Sequence, residues 1–288
     1  MTVLLFVLSF FFATAVSYTL TPFVRKITLH FKVMDIPGER NPHGKAKPTM
    51  GGIAMFISFF VVALIANLGH YAWRGQWVVE NTTIFHLLVG STLVVAIGII
   101  DDKYRINYKL KLAGEVVVAL LMVSFGYRIF AITSPFNGQA VHLGWLVIPV
   151  TILWYLFIVN AINLIDGIDG LAAGISLIAL GTIFLVATYL KNIEVRFFTA
   201  ILAGSVTGFF RYNFSPASIF MGDTGSLFLG FLLAILSLKG AQKSSTAVAL
   251  ATPIVILGLP ILDSTLAVVR RWSSEWASSR SLTERFFS

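Results

Sequence analysis

Apolar runs of up to about 20 residues alternate with short polar loops along this chain. The runs fall at 3–24, 51–69, 84–100, 112–125, 144–161, 171–190, 197–212, 226–238 and 247–269. A helix needs about 20 mostly apolar residues to cross the hydrocarbon core of a bilayer. Unbroken apolar runs also exclude the in–out alternation of a transmembrane barrel. The pattern predicts an all-α, polytopic helical membrane protein with about nine transmembrane helices. No basic residue precedes the first run and no small-residue cleavage site follows it, so it is expected to remain as the first helix.

Composition narrows the class. Only 12% of residues are charged and 57% are hydrophobic, about half the charge of a soluble domain. The absence of cysteine excludes a disulfide framework and a thiolate metal site. No linker, repeat or low-complexity tract divides the chain, so 1–288 is expected to be one integral membrane domain. The prolines and glycines of DIPGERNPHGKAKPTMGG, residues 35–52, predict a helix-free loop. SPFNGQAVHLG, residues 134–144, predicts a turn or short hairpin.

Charge then gives the bundle two different ends. Alternating sides places loops 25–50, 101–111, 162–170, 211–225 and the tail after 269 together, with 15 of the 21 basic residues. That side is expected to be cytoplasmic, with the N-terminus outside. All seven aspartates, Asp35, Asp101, Asp102, Asp166, Asp169, Asp223 and Asp263, fall on it as well. The positive-inside rule does not require this, because acidic residues contribute little to topology. Randomly scattered solvated acids would also populate the outer loops, which hold only Glu80 and Glu194. The expectation is one acidic site on the cytoplasmic face.

Three stretches build that site. IGIIDDKYRINYKLKL, residues 97–112, ends a helix in Asp101 and Asp102. Adjacent carboxylates repel, so the pair invites a cation, and Lys103, Arg105, Lys109 and Lys111 attract phosphates. FMGDTGSLFLG, residues 220–230, sets Asp223 at a helix entry, where Asp223 or Thr224 also suits an N-cap. In NAINLIDGIDGLAAG, Asn160, Asn163, Asp166 and Asp169 recur every third residue, so consecutive members are placed to touch on a helix. A capping role accounts for Asp169 but not for the other three. Gly167 and Gly170 predict a helix break lining a polar cavity. Hard oxygen donors without cysteine favour Mg²⁺ or Mn²⁺.

Seven aspartates exceed the needs of one ion, so some have other tasks. His70, His86 and His142 each read as structural, and Trp272 and Trp276 as an interfacial anchor. The chemistry indicated is work on a phosphate or diphosphate at the membrane surface. A prenyltransferase is disfavoured because DDKYRIN lacks a third spaced aspartate. A transporter is disfavoured because the carboxylates cluster at one end, Glu115 being the only acid deeper in a helix.

Five motifs in order carry a resemblance: PTMGG (48–52), GIIDD (98–102), NLIDGIDGLAAG (163–174), NFSPASIFMGDTGSLFLG (213–230) and PILDSTLAVVRR (260–271). From about Asp35 to Arg271 the chain resembles the polyprenyl-phosphate N-acetylhexosamine-1-phosphate transferases, which include MraY and the WecA/TagO-type enzymes. The resemblance implies Mg²⁺-dependent transfer of a sugar-1-phosphate from a UDP-sugar to undecaprenyl phosphate, with UMP released. Mn²⁺ is the alternative ion.

It further implies catalytic roles for Asp101, Asp102 and Asp223, with Asp223 and Asp101 at the metal. Lys45, with Lys47 as the alternative, would lie near the phosphates. Asn163, Asp166, Gly167, Ile168, Asp169, Asn213 and Phe220 would bind substrate, Phe220 by stacking on uracil. One-step attack and a covalent aspartyl intermediate both stay open. Asp35, Pro37, Arg40, His43, Pro48 and Gly51–Gly52 lean to the WecA/TagO side, which favours a UDP-GlcNAc donor for a cell-envelope polysaccharide. UDP-MurNAc-pentapeptide comes second.

The chain departs from the family in two places. Glu115 stands where the family usually has glutamine. No histidine follows His142, so the chain is expected to lack the family's C-terminal His-rich loop and last helix or helices. Truncation and a non-catalytic binding homologue are the readings that this departure adds. Implied partners are the UDP-sugar, the lipid phosphate and the bilayer of a bacterial inner membrane. Nucleic acid is not expected, and a homodimer is compatible.

Overall fold

The computed structural model describes residues 2–35, 46–133 and 139–242. It is a helical bundle. Helix α1 (Thr2–His30) is followed by strands β1 (Met34–Asp35) and β2 (Lys47–Pro48), then by α2 (Gly52–Arg74), α3 (Asn81–Tyr104) and α4 (Tyr108–Ser124). Strands β3 (Ala131–Thr133) and β4 (Ala140–His142) lead into α5 (Val147–Ile165), α6 (Leu171–Tyr189), α7 (Ile193–Asn213) and α8 (Gly222–Gln242). Both strand pairs are antiparallel, so the expected short hairpin beyond α4 is present.

Seven of these helices are long and apolar enough to cross a membrane. Helix α4, with 17 residues, reaches only about 26 Å at 1.5 Å per residue. The ninth apolar run, 247–269, lies outside the described residues.

Helix α8 is the central pillar. It touches α2, α3, α5, α6 and α7, and 83% of its apolar window is buried against 22% for α1. The approach of α2 is backbone to backbone: a Cβ on Gly52 would lie 2.2 Å from the Gly225 Cα. Small residues allow this in a membrane, where helix contact rests on packing rather than on expulsion of water. Around that contact Phe59 packs its ring near Phe198 and Phe228.

The helices outrun the apolar runs at the polar end. Helix α1 continues past Val24 to His30, where Arg25 Nε donates to the Ser218 carbonyl at 3.1 Å. Helix α8 begins at Gly222 rather than near residue 226, and α5 runs to Ile165 rather than 161. In each case polar residues assigned to loops are in a helical turn, and a partner from another element satisfies them.

Candidate active site

The polar end is assembled by backbone pairing of two distant motifs. The Phe220 N–H donates to the Pro48 carbonyl at 2.8 Å. The Gly51 and Gly52 N–H groups donate back to the carbonyls of Phe220 and Met221, at 2.9 and 3.2 Å. Gly222 then turns the chain into α8 with φ +70. A Cβ there would sit 2.2 Å from Thr49 Oγ1 and 2.6 Å from Asp102 Oδ2, so only glycine fits.

This close approach lets α3 cap α8. Asp102 Oδ1 accepts the Asp223 N–H at 2.9 Å. Its Oδ2 accepts the Thr224 N–H at 3.1 Å and the Thr224 hydroxyl at 2.6 Å. The carboxylate thus satisfies orphan donors at the positive end of the α8 dipole. Neither Asp223 nor Thr224 acts as the N-cap that local sequence allows, because Asp102 supplies it from another helix.

Asp101, one residue earlier, faces a cation. Lys111 Nζ lies 2.9 Å from Asp101 Oδ2, pairs closely with Asp223 Oδ2 and reaches Asn163 Oδ1 at 3.4 Å. Asn163 Nδ2 donates to Asp223 Oδ1 at 2.7 Å and to Ser226 Oγ at 2.9 Å. Two carboxylates thus share one ammonium between the ends of α3 and α8. The regular series from Asn160 does not run together as its spacing suggests. Asn160 turns to Glu115 Oε2 at 2.6 Å, Asn163 turns to α8, and the two aspartates follow the loop.

That loop, 166–170, separates α5 from α6 as the glycines predict. Asp166 lines the pocket. Burial and the neighbouring carboxylates of Asp102 and Asp223 push its carboxyl well above the usual range, against a stabilising Gly222 N–H. Asp169 is a latch. Its Oδ2 accepts the Ala217 N–H at 2.8 Å and pairs with Lys47 at 3.2 Å, while Oδ1 is buried without a hydrogen-bond partner. Lys47 Nζ also lies 5.0 Å from the Phe220 ring centroid. Asn213 donates to the Ile219 carbonyl at 3.2 Å, and its Oδ1 is buried without a partner.

These groups line one cavity of about 230 Å³, room for a polar ligand rather than a single water. Its walls include Asp35, Asp101, Asp102, Asp166, Asp169 and Asp223, with Asn163, Gly167, Ile168, Asn213 and Phe220. Six of the seven one-sided aspartates therefore line one cavity. Of the candidate site residues only Lys45 lies outside the described residues; Asp263 among the aspartates, Pro37, Arg40 and His43 of the loop pattern, and Trp272 and Trp276 lie outside them as well. Lys47, the alternative to Lys45, pairs with Asp169.

Two carboxylates bridged by one ammonium also fit a divalent ion. Among the described residues no three carboxylate or imidazole groups form a closed metal cage. Mg²⁺ does not need one, since it commonly takes one or two carboxylates and completes its shell with waters and substrate phosphates. The Lys111 ammonium occupies the position between Asp101 and Asp223.

Lys111 and Arg105, from the basic run expected to attract phosphates, complete the site with Thr49, which sequence did not single out as a site residue; Arg105 pairs with Asp35 at 3.8 Å. For Lys111 a signal existed. Asn107 caps α4 by accepting the Lys109 N–H at 3.0 Å, so α4 starts directly after α3 ends. Lys111 returns beside Asp101 one turn later.

Residues 84–241 match the family described as Glycosyl transferase family 4. A Bacillus subtilis protein named probable undecaprenyl-phosphate N-acetylglucosaminyl 1-phosphate transferase is 42% identical over 88% of this chain and 68% of its own length. A decaprenyl-phosphate N-acetylglucosaminephosphotransferase from Mycolicibacterium smegmatis is 32% identical over 90% and 68%. A phospho-N-acetylmuramoyl-pentapeptide-transferase from Halalkalibacterium halodurans is 30% identical over 91% and 80%.

Proposed function

The chain belongs to glycosyl transferase family 4 as a multi-pass bacterial membrane protein, and we propose that it transfers GlcNAc-1-phosphate, or a related N-acetylhexosamine-1-phosphate, from a UDP-sugar to undecaprenyl phosphate. The products are undecaprenyl-diphospho-sugar and UMP. The observation that carries this is the convergence of six aspartates on one cavity at one end of an apolar bundle. A lipid phosphate has its tail in the bilayer and its head at that level. The 42% identity to the Bacillus protein favours GlcNAc over MurNAc-pentapeptide.

In this reading an oxygen of the acceptor phosphate attacks the phosphorus that bears the sugar. The bond from that phosphorus to the bridging oxygen breaks, and UMP leaves with the electron pair. Asp223 and Asp101 would hold Mg²⁺, which would supply Lewis-acid charge to the diphosphate. Asp101 positions the acceptor phosphate, which is largely ionised at neutral pH and needs little help from a base. Asp102 fixes the first turn of α8, and so the direction of Asp223. Phe220, Asn213, Asp166 and the exposed Gly167–Ile168 turn form the nucleoside end. Asp169 and Lys47 hold the loop beneath it.

The purified protein should release UMP from UDP-GlcNAc only when polyprenyl phosphate and Mg²⁺ are both present. UMP release that ignores the acceptor would contradict the reading.

A further inference from the structure

We propose that Glu115 is a positioning residue for cation loading: it receives the Lys111 ammonium when a divalent ion takes the Asp101–Asp223 pair. This rests on the metal reading of the same site. Lys111 directs its ammonium at Asp101, Asp223 and Asn163, which accounts for the three donors of a lysine. A divalent ion at the same two carboxylates repels that ammonium at short range. Lys111 therefore needs a second resting place, and a buried cation without a counter-charge is costly.

Glu115 provides one. It lies four residues beyond Lys111 on α4, on the same helical face. Only 4% of the residue is exposed, and it is within electrostatic reach of Lys111, Asp101 and Asp223. Asn160 fixes one oxygen, donating to Oε2 at 2.6 Å. The other, Oε1, is buried with no hydrogen-bond partner. Such an orphan atom is a standing cost to the fold, and an arriving ammonium removes it. A buried glutamate inside a helix of an apolar bundle, with one carboxylate oxygen unpartnered, is by default a candidate functional residue. The site thereby trades cations: Lys111 holds the carboxylates together when the ion is away, and Glu115 holds Lys111 aside when it is present.

The test is a Mn²⁺ titration of the detergent-purified chain without nucleotide, with free Mn²⁺ read by its paramagnetic resonance signal. Glu115→Gln keeps the shape and the Asn160 hydrogen bond but removes the charge. It should weaken Mn²⁺ binding about tenfold, the scale of a coupling between two sites. Lys111→Met removes the competing ammonium and should tighten it. In the Lys111→Met background, Glu115→Gln should have no further effect, because its action passes through Lys111. Glu115→Leu, apolar in an apolar seam, replaces the glutamine variant if that one does not fold, with the same expectations. Unchanged affinity in the Glu115 variants, or an equal loss with and without Lys111, overturns the proposal alone. Absence of Mn²⁺ binding by the wild-type chain overturns the metal reading and the proposal with it.

Discussion

The two ends of the bundle both carry polar groups, but they use them differently. At the end away from the pocket, every principal polar side chain closes a gap in the structure. Asn67 Oδ1 accepts the N–H groups of Val78 and Val79, and its Nδ2 reaches the Val79 carbonyl and Asn81. Asn192 caps α7 and donates to the Lys239 carbonyl. Lys239 pairs with Glu194 and sits 5.3 Å from the Tyr127 ring centroid. Burial, and the charge of Glu194, hold the Tyr127 hydroxyl neutral well above its ordinary range.

At the pocket end the accounts do not balance. Six aspartates line the pocket, and four of them, Asp35, Asp101, Asp169 and Asp223, pair with three cations, Lys47, Arg105 and Lys111. Asp169 Oδ1 and Asn213 Oδ1 are buried without partners. One end is a saturated clasp. The other holds surplus negative charge and open acceptors, which is what a cation and a nucleotide would complete.

Removing charge from each end separates these roles. Asp101→Asn should lower the rate of UMP release about a thousandfold, the scale of losing a key transition-state contact. Its melting temperature should stay near that of the wild type, because the change relieves like-charge crowding with Asp223. A loss of folded protein in step with activity would erase the distinction between the ends. Gly52→Ala strikes the contact on which the pocket end is built. A Cβ 2.2 Å from Gly225 forces α2 from α8 and should cost about 1–3 kcal/mol, read as reduced thermal stability in detergent.

At the clasp, Lys239→Met leaves Glu194 without its partner. This partly exposed pair should cost about 1 kcal/mol, with turnover per folded molecule unchanged. A turnover defect there would mean that the far end does more than close the fold. Smallest, Phe220→Leu keeps the backbone pairing and removes the stacking surface. It should raise the KM for the UDP-sugar by up to about tenfold, from about 0.5–1.5 kcal/mol of aromatic contact, with kcat little changed.

Much of this contrast was legible in the sequence. Apolar run length located eight helices, and the one-sided aspartates located the pocket. Gly167 and Gly170 located the break after α5. What spacing could not supply was long-range pairing. Asp102 looks like the twin of Asp101, yet it is committed to the first turn of α8, 121 residues away. Asp166 and Asp169 look alike in NLIDGIDG and both line the cavity, yet only Asp169 also ties down Ala217 and Lys47. The run of asparagines and aspartates reads as one feature but serves α4, α8 and the loop in turn. Helix ends were short in the sequence reading because hydropathy stops counting where polar residues begin. Those residues stay helical only because another element satisfies them.

The central claim is that the surplus charge of the pocket is catalytic. It is tested most directly by UMP release from UDP-GlcNAc, with undecaprenyl phosphate and Mg²⁺, by an Asp223→Asn chain that melts like the wild type. The account predicts loss of turnover in that folded protein. Wild-type turnover by it would contradict the account.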